Sequence, residues 1–265
     1  MLFGNRFFHA FLWLIFLITA LFLAAPLIML LVKGMAYVLP CLKSPEVRFA
    51  IGLSLKTTLI STLICMVLAI PTAVFMHRHR FKCQRLVMLI MHLPMALPHL
   101  VSGIALLLLF GKMGIGGWLY ETLGLDFVFT VNGIVLAQTF VNLPFTVQML
   151  YTALSGANDR MTFIARTLGC TEFQAFRHVL LPNLKRGMVS AAIMTWSRAL
   201  GEFGAVIMVA GTTRMKTEIL PTAIYLNMAT GDLDLAIGIS LILIIISLLC
   251  IFVFELLTHT QSSPT

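Results

Sequence analysis

ARTLGCTEFQAFRHVLLP, residues 165–182, is a mostly polar island between long apolar runs. The chain around it is 60% hydrophobic and 11% charged over 265 residues, so a long polar loop needs an explanation. Just upstream, Asn158-Asp159 can cap a helix N-terminus. Met161, Ile164, Ala165 and Leu168 then follow at helical spacing, with Arg160 and Arg166 elsewhere on the wheel. Gly169 suits the position where a left-handed residue ends a helix. Thr171 with Gln174 three residues on is a capping-box pattern and starts a second helix. Phe173, Phe176 and Val179–Leu180 lie on one side of that helix, and Pro182 is expected to block its continuation. The expectation is a helix–turn–helix elbow over about residues 158–186, carrying an apolar stripe. Physics alone leaves two uses for it: an amphipathic loop lying on the bilayer, or a docking element for another protein.

Outward from the island the chain reads as membrane spans. Mean hydropathy is +1.00. Uncharged runs long enough to cross a bilayer as helices are Phe11–Val32, Thr57–Met76, Leu86–Gly111, Phe127–Asn158 and Leu235–Phe254. A sixth, Gly187–Ala210, is apolar except for Arg198 and Glu202. The runs are continuous rather than alternating, which argues against strands. The fold class is therefore an all-α integral membrane protein: six transmembrane helices in one domain, residues 1–265. The first run is too long for a signal-peptide core and is expected to be retained. No further domain is expected after the last span.

Six crossings put both termini on one side, and Lys and Arg in the loops choose it. One face carries Arg6, Arg78, Arg80, Lys82, Arg85, Arg160, Arg166, Arg177, Lys185 and Arg186. The other carries Lys33, Lys43, Arg48, Lys112, Arg214 and Lys216, diluted by six acidic residues. The first face is expected to be cytoplasmic, which places the island and both termini in the cytosol. The net charge of +8 then reflects topology and anionic lipid headgroups and calls for no nucleic acid. Five cysteines form no CxxC pair and read as small apolar filler, with no metal site.

Pro26, Pro71, Pro94, Pro98 and Pro144 sit inside spans, where each removes a backbone hydrogen bond and favours a kink. Pro94 and Pro98, in HLPMALPHL, are close enough that the bent helix could line or gate a path. Arg198 and Glu202 fall near the middle of the fifth run, four residues apart and so expected on one helix face. A lone charge there costs at least about 2.5–3.5 kcal/mol, so these side chains should face the bundle interior or water. They serve either the path or packing as a neutralised pair. Gly201 and Gly204 beside them permit close helix approach. His92 and His99 are expected to be hydrogen-bonded interior imidazoles.

The island is similar to the coupling-loop motif of importer-type ABC permeases. That motif has an EAA triplet, a Gly after three residues and a Leu-Pro about a dozen residues later. Here the Gly is Gly169 and the Leu-Pro is Leu181-Pro182, while the triplet falls on Phe163-Ile164-Ala165 and matches at its last alanine. HLPMALPHLVSGIALLLLFGKMGIGGWL, SRALGEFGAVIMVAG (Ser197–Gly211) and ILPTAIY (Ile219–Tyr225) resemble the molybdate/tungstate/sulfate branch of that family.

The resemblance implies a permease subunit of an ATP-driven oxyanion importer, most simply for molybdate, working as a homodimer in the plasma (inner) membrane. It implies an external solute-binding protein that delivers the anion. It also implies a separate ATPase subunit, holding ATP and magnesium, that receives the elbow. ATP-driven closure of that subunit, felt through the elbow, would turn the path outward, and hydrolysis would reset it. The residues carried over are Ala165, Arg166, Leu168, Gly169, Phe173, Phe176 and Pro182 for coupling. Pro94, Pro98, His99, Arg198 and Glu202 are carried over for the path or gate.

The chain contains no GxxxxGK[ST], HExxH or GxSxG, so no cofactor or catalytic residue is expected on it. A tungstate or sulfate importer is the near alternative. More distant ones are an ATP-independent transporter or channel using Arg198 and Glu202, and an intramembrane enzyme using His92 and His99.

Overall fold

The computed structural model describes residues 2–79, 82–156 and 159–259, apart from the side chains of 2–7, 159, 160, 254 and 257–259. Arg80 and Asn158 thus lie outside the described residues, as do the side chains of Arg6, Asp159 and Arg160.

The described residues are helical with short connections and no strand. In chain order the helices begin with α1 (Leu2–Lys43), α2 (Pro45–Arg78), α3 (Gln84–Ala96), α4 (His99–Phe110), α5 (Ile115–Leu123) and α6 (Val131–Ser155). Next come α7 (Asp159–Thr167), α8 (Glu172–Ala175), a π-helical turn (Phe176–Leu180) and α9 (Leu181–Leu200). The last are α10 (Gly204–Ala210), α11 (Leu220–Ala229) and α12 (Leu233–His259). Four are long and apolar enough to cross a bilayer: α1, α2, α6 and α12. The count reaches six when each of two bent pairs, α3 with α4 and α8–α9 with α10, is one crossing.

The first bent pair lies where the closely set Pro94 and Pro98 favour a bend; the second, within the run Gly187–Ala210, is not expected from the sequence. Pro98 forces the residue before it out of helical conformation: Leu97 is extended (φ −76°, ψ 144°), and α3 and α4 meet at 110°. Pro26, Pro71, Pro94 and Pro144 lie inside helices that continue past them. The second break follows Leu200, where Gly201–Phe203 leave the helix and α10 departs at 62°. The expected outer loops also contain helices, α5 and α11, because each carries an apolar run between turn residues.

The centre of the bundle is α2 against α6, flanked by α9. At about 1.5 Å per residue, the 34-residue α2 is about 51 Å long, well beyond a hydrocarbon core of about 30 Å. Its start is capped by Ser44, whose side chain accepts from the Val47 N–H, with Pro45 in the first turn. Its end reaches the elbow. A buried apolar cluster of Met76, Leu150, Leu154, Leu180 and Leu184 there joins α2, α6, the π turn and α9. A second cluster, with Leu106, Ile134, Val141, Val206 and Ile219, joins α4, α6 and α10. On the periphery α1 packs along α12.

Candidate functional site

The elbow is built as its local chemistry dictates. The Cys170 N–H donates to the Ala165 carbonyl (3.1 Å) and the Gly169 N–H to the Arg166 carbonyl (3.1 Å). Those two bonds are a Schellman ending, with Gly169 left-handed at φ +96°. A Cβ built on Gly169 would meet nothing within 4 Å, so backbone conformation alone selects glycine there. The capping box forms: Thr171 Oγ1 accepts from the Gln174 N–H (3.2 Å), and Gln174 Oε1 accepts from the Thr171 N–H (2.8 Å).

Pro182 does not stop the second helix, contrary to expectation. The chain passes through the π turn, where the Leu181 N–H donates to the Phe176 carbonyl, and continues as α9. The wider turn relieves the clash of the proline ring with the carbonyl four residues back, and Pro182 occupies the first turn of α9, where its missing N–H is harmless. The elbow is therefore continuous with a membrane helix. Its apolar residues face outward: Leu168 is 80% exposed and Phe173 67%, with Met161, Phe163 and Ile164 also exposed. Arg166 and Pro182 are exposed, Ala165 and Phe176 half-buried.

The interior charges are arranged differently from expectation. Glu202 lies past the end of α9, so it does not share a helix face with Arg198. Its carboxylate, 2% exposed, receives the His99 Nδ1 at 2.9 Å on one oxygen. The other oxygen accepts from the Ala205 N–H (3.1 Å) and caps the first turn of α10. The partner of Glu202 is thus on α4, the half-helix behind the other break. Gly204 makes the approach possible, since a Cβ there would sit 2.8 Å from the His99 Cβ. Arg198 lies with its guanidinium carbon 5.3 Å from the centre of the Phe145 ring, a cation–π contact. Its Nε is buried without a hydrogen-bond partner. Pro98 is exposed at the bend, and Pro94 and His99 are half-buried. His92, as expected, is hydrogen-bonded, to Gln148 Oε1 at 3.0 Å.

Sequence reasoning missed a seam of buried hydroxyls and amides beside this cluster. On α2 it comprises Ser54, Thr57, Thr58, Ser61 and Thr62; on α6, Gln138, Asn142 and Thr146. Cross-helix bonds tie it together: Thr146 to Thr195 (2.9 Å), Trp196 Nε1 to Thr58 (2.8 Å), and the Leu220 N–H to Ser54 (2.8 Å). Gln138 Oε1 and Asn142 Oδ1 are buried acceptors without a partner. The available signal was the hydroxyl repeat in SLKTTLIST (residues 54–62), periodic with one face of a helix. Of the cysteines, Cys41, Cys65 and Cys250 are buried, as filler should be, whereas Cys83 and Cys170 are exposed.

The sequence profile of a family described as "Binding-protein-dependent transport system inner membrane component" matches residues 66–262. The chain is similar to the molybdenum transport system permease protein ModB of Mycobacterium tuberculosis (38% identical over 208 residues, 78% of each chain). It is also similar to the sulfate transport system permease protein CysW of Escherichia coli (34% identical over 215 residues, 79% of this chain and 74% of that one). Among solved structures it resembles a chain of a bacterial alginate ABC transporter in complex with an alginate-pentasaccharide-bound periplasmic protein. That likeness has a TM-score of 0.79 at 17% identity, over 98% of this chain and 96% of that one.

Proposed function

We propose a specific transport role for this chain, which belongs to the family of binding-protein-dependent transport system inner membrane components. Membership makes it a multi-pass permease subunit of an ABC importer, and not itself an enzyme. Our proposal is that it passes an oxyanion, molybdate, into the cytosol as a homodimer joined to two copies of a separate ATPase. ATP and magnesium sit on that ATPase, and an external binding protein delivers the anion. Both termini and the elbow face the cytosol.

The observation that carries this reading is the elbow. Its turn is fixed by a Schellman ending and a capping box, its outside is apolar, and it is continuous through the π turn with α9, so a push on it moves a membrane helix. Ala165, Arg166, Leu168, Gly169, Phe173, Phe176 and Pro182 form the surface and hinge that an ATPase groove would grip. The similarity to ModB supports molybdate over sulfate. The bends at Pro98 and Gly201 set His99 against Glu202, with Arg198 in the last turn of α9 just before the second bend and Pro94 in the last turn of α3 before the first, and we assign that place to the gate of the path. Guanidinium donors match oxyanion geometry. The nearby carboxylate keeps the attraction weak enough for release.

Proteoliposomes holding this chain, its ATPase and its binding protein test the proposal. Uptake of radiolabelled molybdate should require ATP, yield to tungstate and resist excess sulfate. Equal competition by sulfate would transfer the assignment to sulfate. Uptake by the chain alone without ATP would contradict the importer mechanism.

A further inference from the structure

Asn142, in the middle of α6, is 0% exposed, yet its side chain ties no helices together. Its amide nitrogen donates to the Gln138 carbonyl of its own helix at 2.7 Å. A carbonyl can only accept, so that contact fixes which way the amide points and turns Oδ1 away from it. Oδ1 is buried without a hydrogen-bond partner. Among the described residues the Asn142 side chain therefore bonds to no other helix. A buried acceptor left unpaired is costly, and an apolar side chain of similar size would fill the same space without that cost. The amide makes sense as a group kept for another arrangement of the bundle.

The donor that it lacks runs past it. α6 and α9 are antiparallel: Thr146 meets Thr195 at 2.9 Å, and Gln138 Nε2 reaches the Ala199 carbonyl at 3.4 Å. Gln138, Asn142 and Phe145, four and then three residues apart, share one face of α6. Arg198 starts beside the Ala199–Gln138 contact, and its guanidinium carbon lies over the Phe145 ring at 5.3 Å. Helical side chains lean toward their own N-terminus, which in α9 is the direction of Phe145. From Gln138 to Phe145 is about 10 Å of helix, and the Arg198 side chain crosses the turn between them, where Asn142 stands. Arg198 Nε, on that stem, is a buried donor without a hydrogen-bond partner. One stretch of the α6–α9 interface thus carries a charged donor and a neutral acceptor, both unpaired.

We propose that Asn142 is a positioning residue for the gate: when the break at Gly201 turns, Arg198 leaves the Phe145 ring and gives its Nε–H to Asn142 Oδ1. The inference rests on the assignment of Arg198 to the gate. Arg198 lies in the last turn of α9, next to the break, where a swing of α10 reaches it first. The guanidinium then has two seats on α6. On the ring, its N–H groups are open to an oxyanion; on the amide, Nε is engaged and the anion is let go. The exchange gives up a cation–π contact and satisfies two unpaired atoms at once.

Uptake in proteoliposomes holding the chain, its ATPase and its binding protein, read beside thermal unfolding, decides it. Asn142→Leu should slow uptake by about tenfold or more, the worth of one hydrogen bond to a charged donor. It should leave the unfolding temperature unchanged or raise it, because the acceptor it removes is unpaired in this structure. A fall in stability that accounts for the lost uptake would make Asn142 structural and overturn the proposal. Asn142→Leu combined with Arg198→Gln should be no slower than Arg198→Gln alone; multiplied losses would mean that the two residues act separately, and overturn it as well. Should Asn142→Leu fail to fold, Asn142→Asp keeps the shape. Arg198→Gln should then lower the unfolding temperature more than it does in the native chain, because it strands a buried carboxylate. An equal drop would put position 142 out of reach of Arg198 and end the proposal. If Arg198→Gln alone leaves uptake unchanged, the gate assignment falls and this inference with it. If Arg198→Gln slows uptake and Asn142→Leu does not, this inference falls and the gate assignment stands.

Discussion

Glu202 does two things with one buried carboxylate: it caps α10 through the Ala205 N–H and holds His99 across from α4. Glu202→Ala leaves that N–H unpaired and should lower stability by about 1–3 kcal/mol. Glu202→Gln keeps an acceptor and should lose less. Because His99 and Glu202 touch, a His99→Ala/Glu202→Ala double-mutant cycle should be strongly non-additive; additive losses would deny the pairing. Thr146 and Thr195 test the polar seam more gently. Thr146→Val, measured in a cycle with Thr195→Val, should reveal a coupling near 0.6 kcal/mol, typical of hydroxyl pairs between membrane helices. Glu218, buried between α10 and α11, is pushed above the ordinary carboxylate range by burial, against a smaller opposing pull from Arg214. The folded state then binds a proton more readily than the unfolded one. Stability from this group is present at low pH and declines as pH rises from the ordinary carboxylate value through the raised one. Thermal unfolding of Glu218→Gln across that window should show a flatter pH dependence than the native chain.

At the scale of elements, the elbow and the breaks carry the lessons. Gly169 and the Thr171–Gln174 box were legible in the sequence because Schellman endings and capping boxes are local chemistry, complete within six residues or so. Pro182 was misread for the same reason: proline rules assume an α-helix, and a π turn changes which carbonyl the ring would strike. The pairing of His99 with Glu202 could not be read at all, since it depends on two distant breaks folding against each other. The four-residue spacing of Arg198 and Glu202 misled because it presumed a helix through Gly201. Pro182→Ala restores an N–H and should let the π turn relax toward α-helix, turning the elbow relative to α9. Uptake per ATP hydrolysed should fall while thermal stability holds; an unchanged ratio would mean that the π turn plays no part in coupling.

Across the whole molecule, hydropathy found the long spans because twenty apolar residues have few other homes. It could not see that two apolar stretches are broken into bent helix pairs, since a bend leaves composition unchanged. The resulting architecture has a capped elbow at one end, joined by α9 to a break beside the interior charges. The central claim is that the elbow drives that break. In proteoliposomes with the ATPase and binding protein, the decisive quantity is molybdate taken up per ATP hydrolysed, compared between the native chain and Gly169→Val. A valine at φ +96° is strained by about 1–2 kcal/mol, enough to shift the elbow population by roughly 5–30-fold. The account predicts that hydrolysis persists while uptake per ATP drops by a factor in that range, with the spans still folded. Undiminished uptake per ATP in Gly169→Val would contradict it.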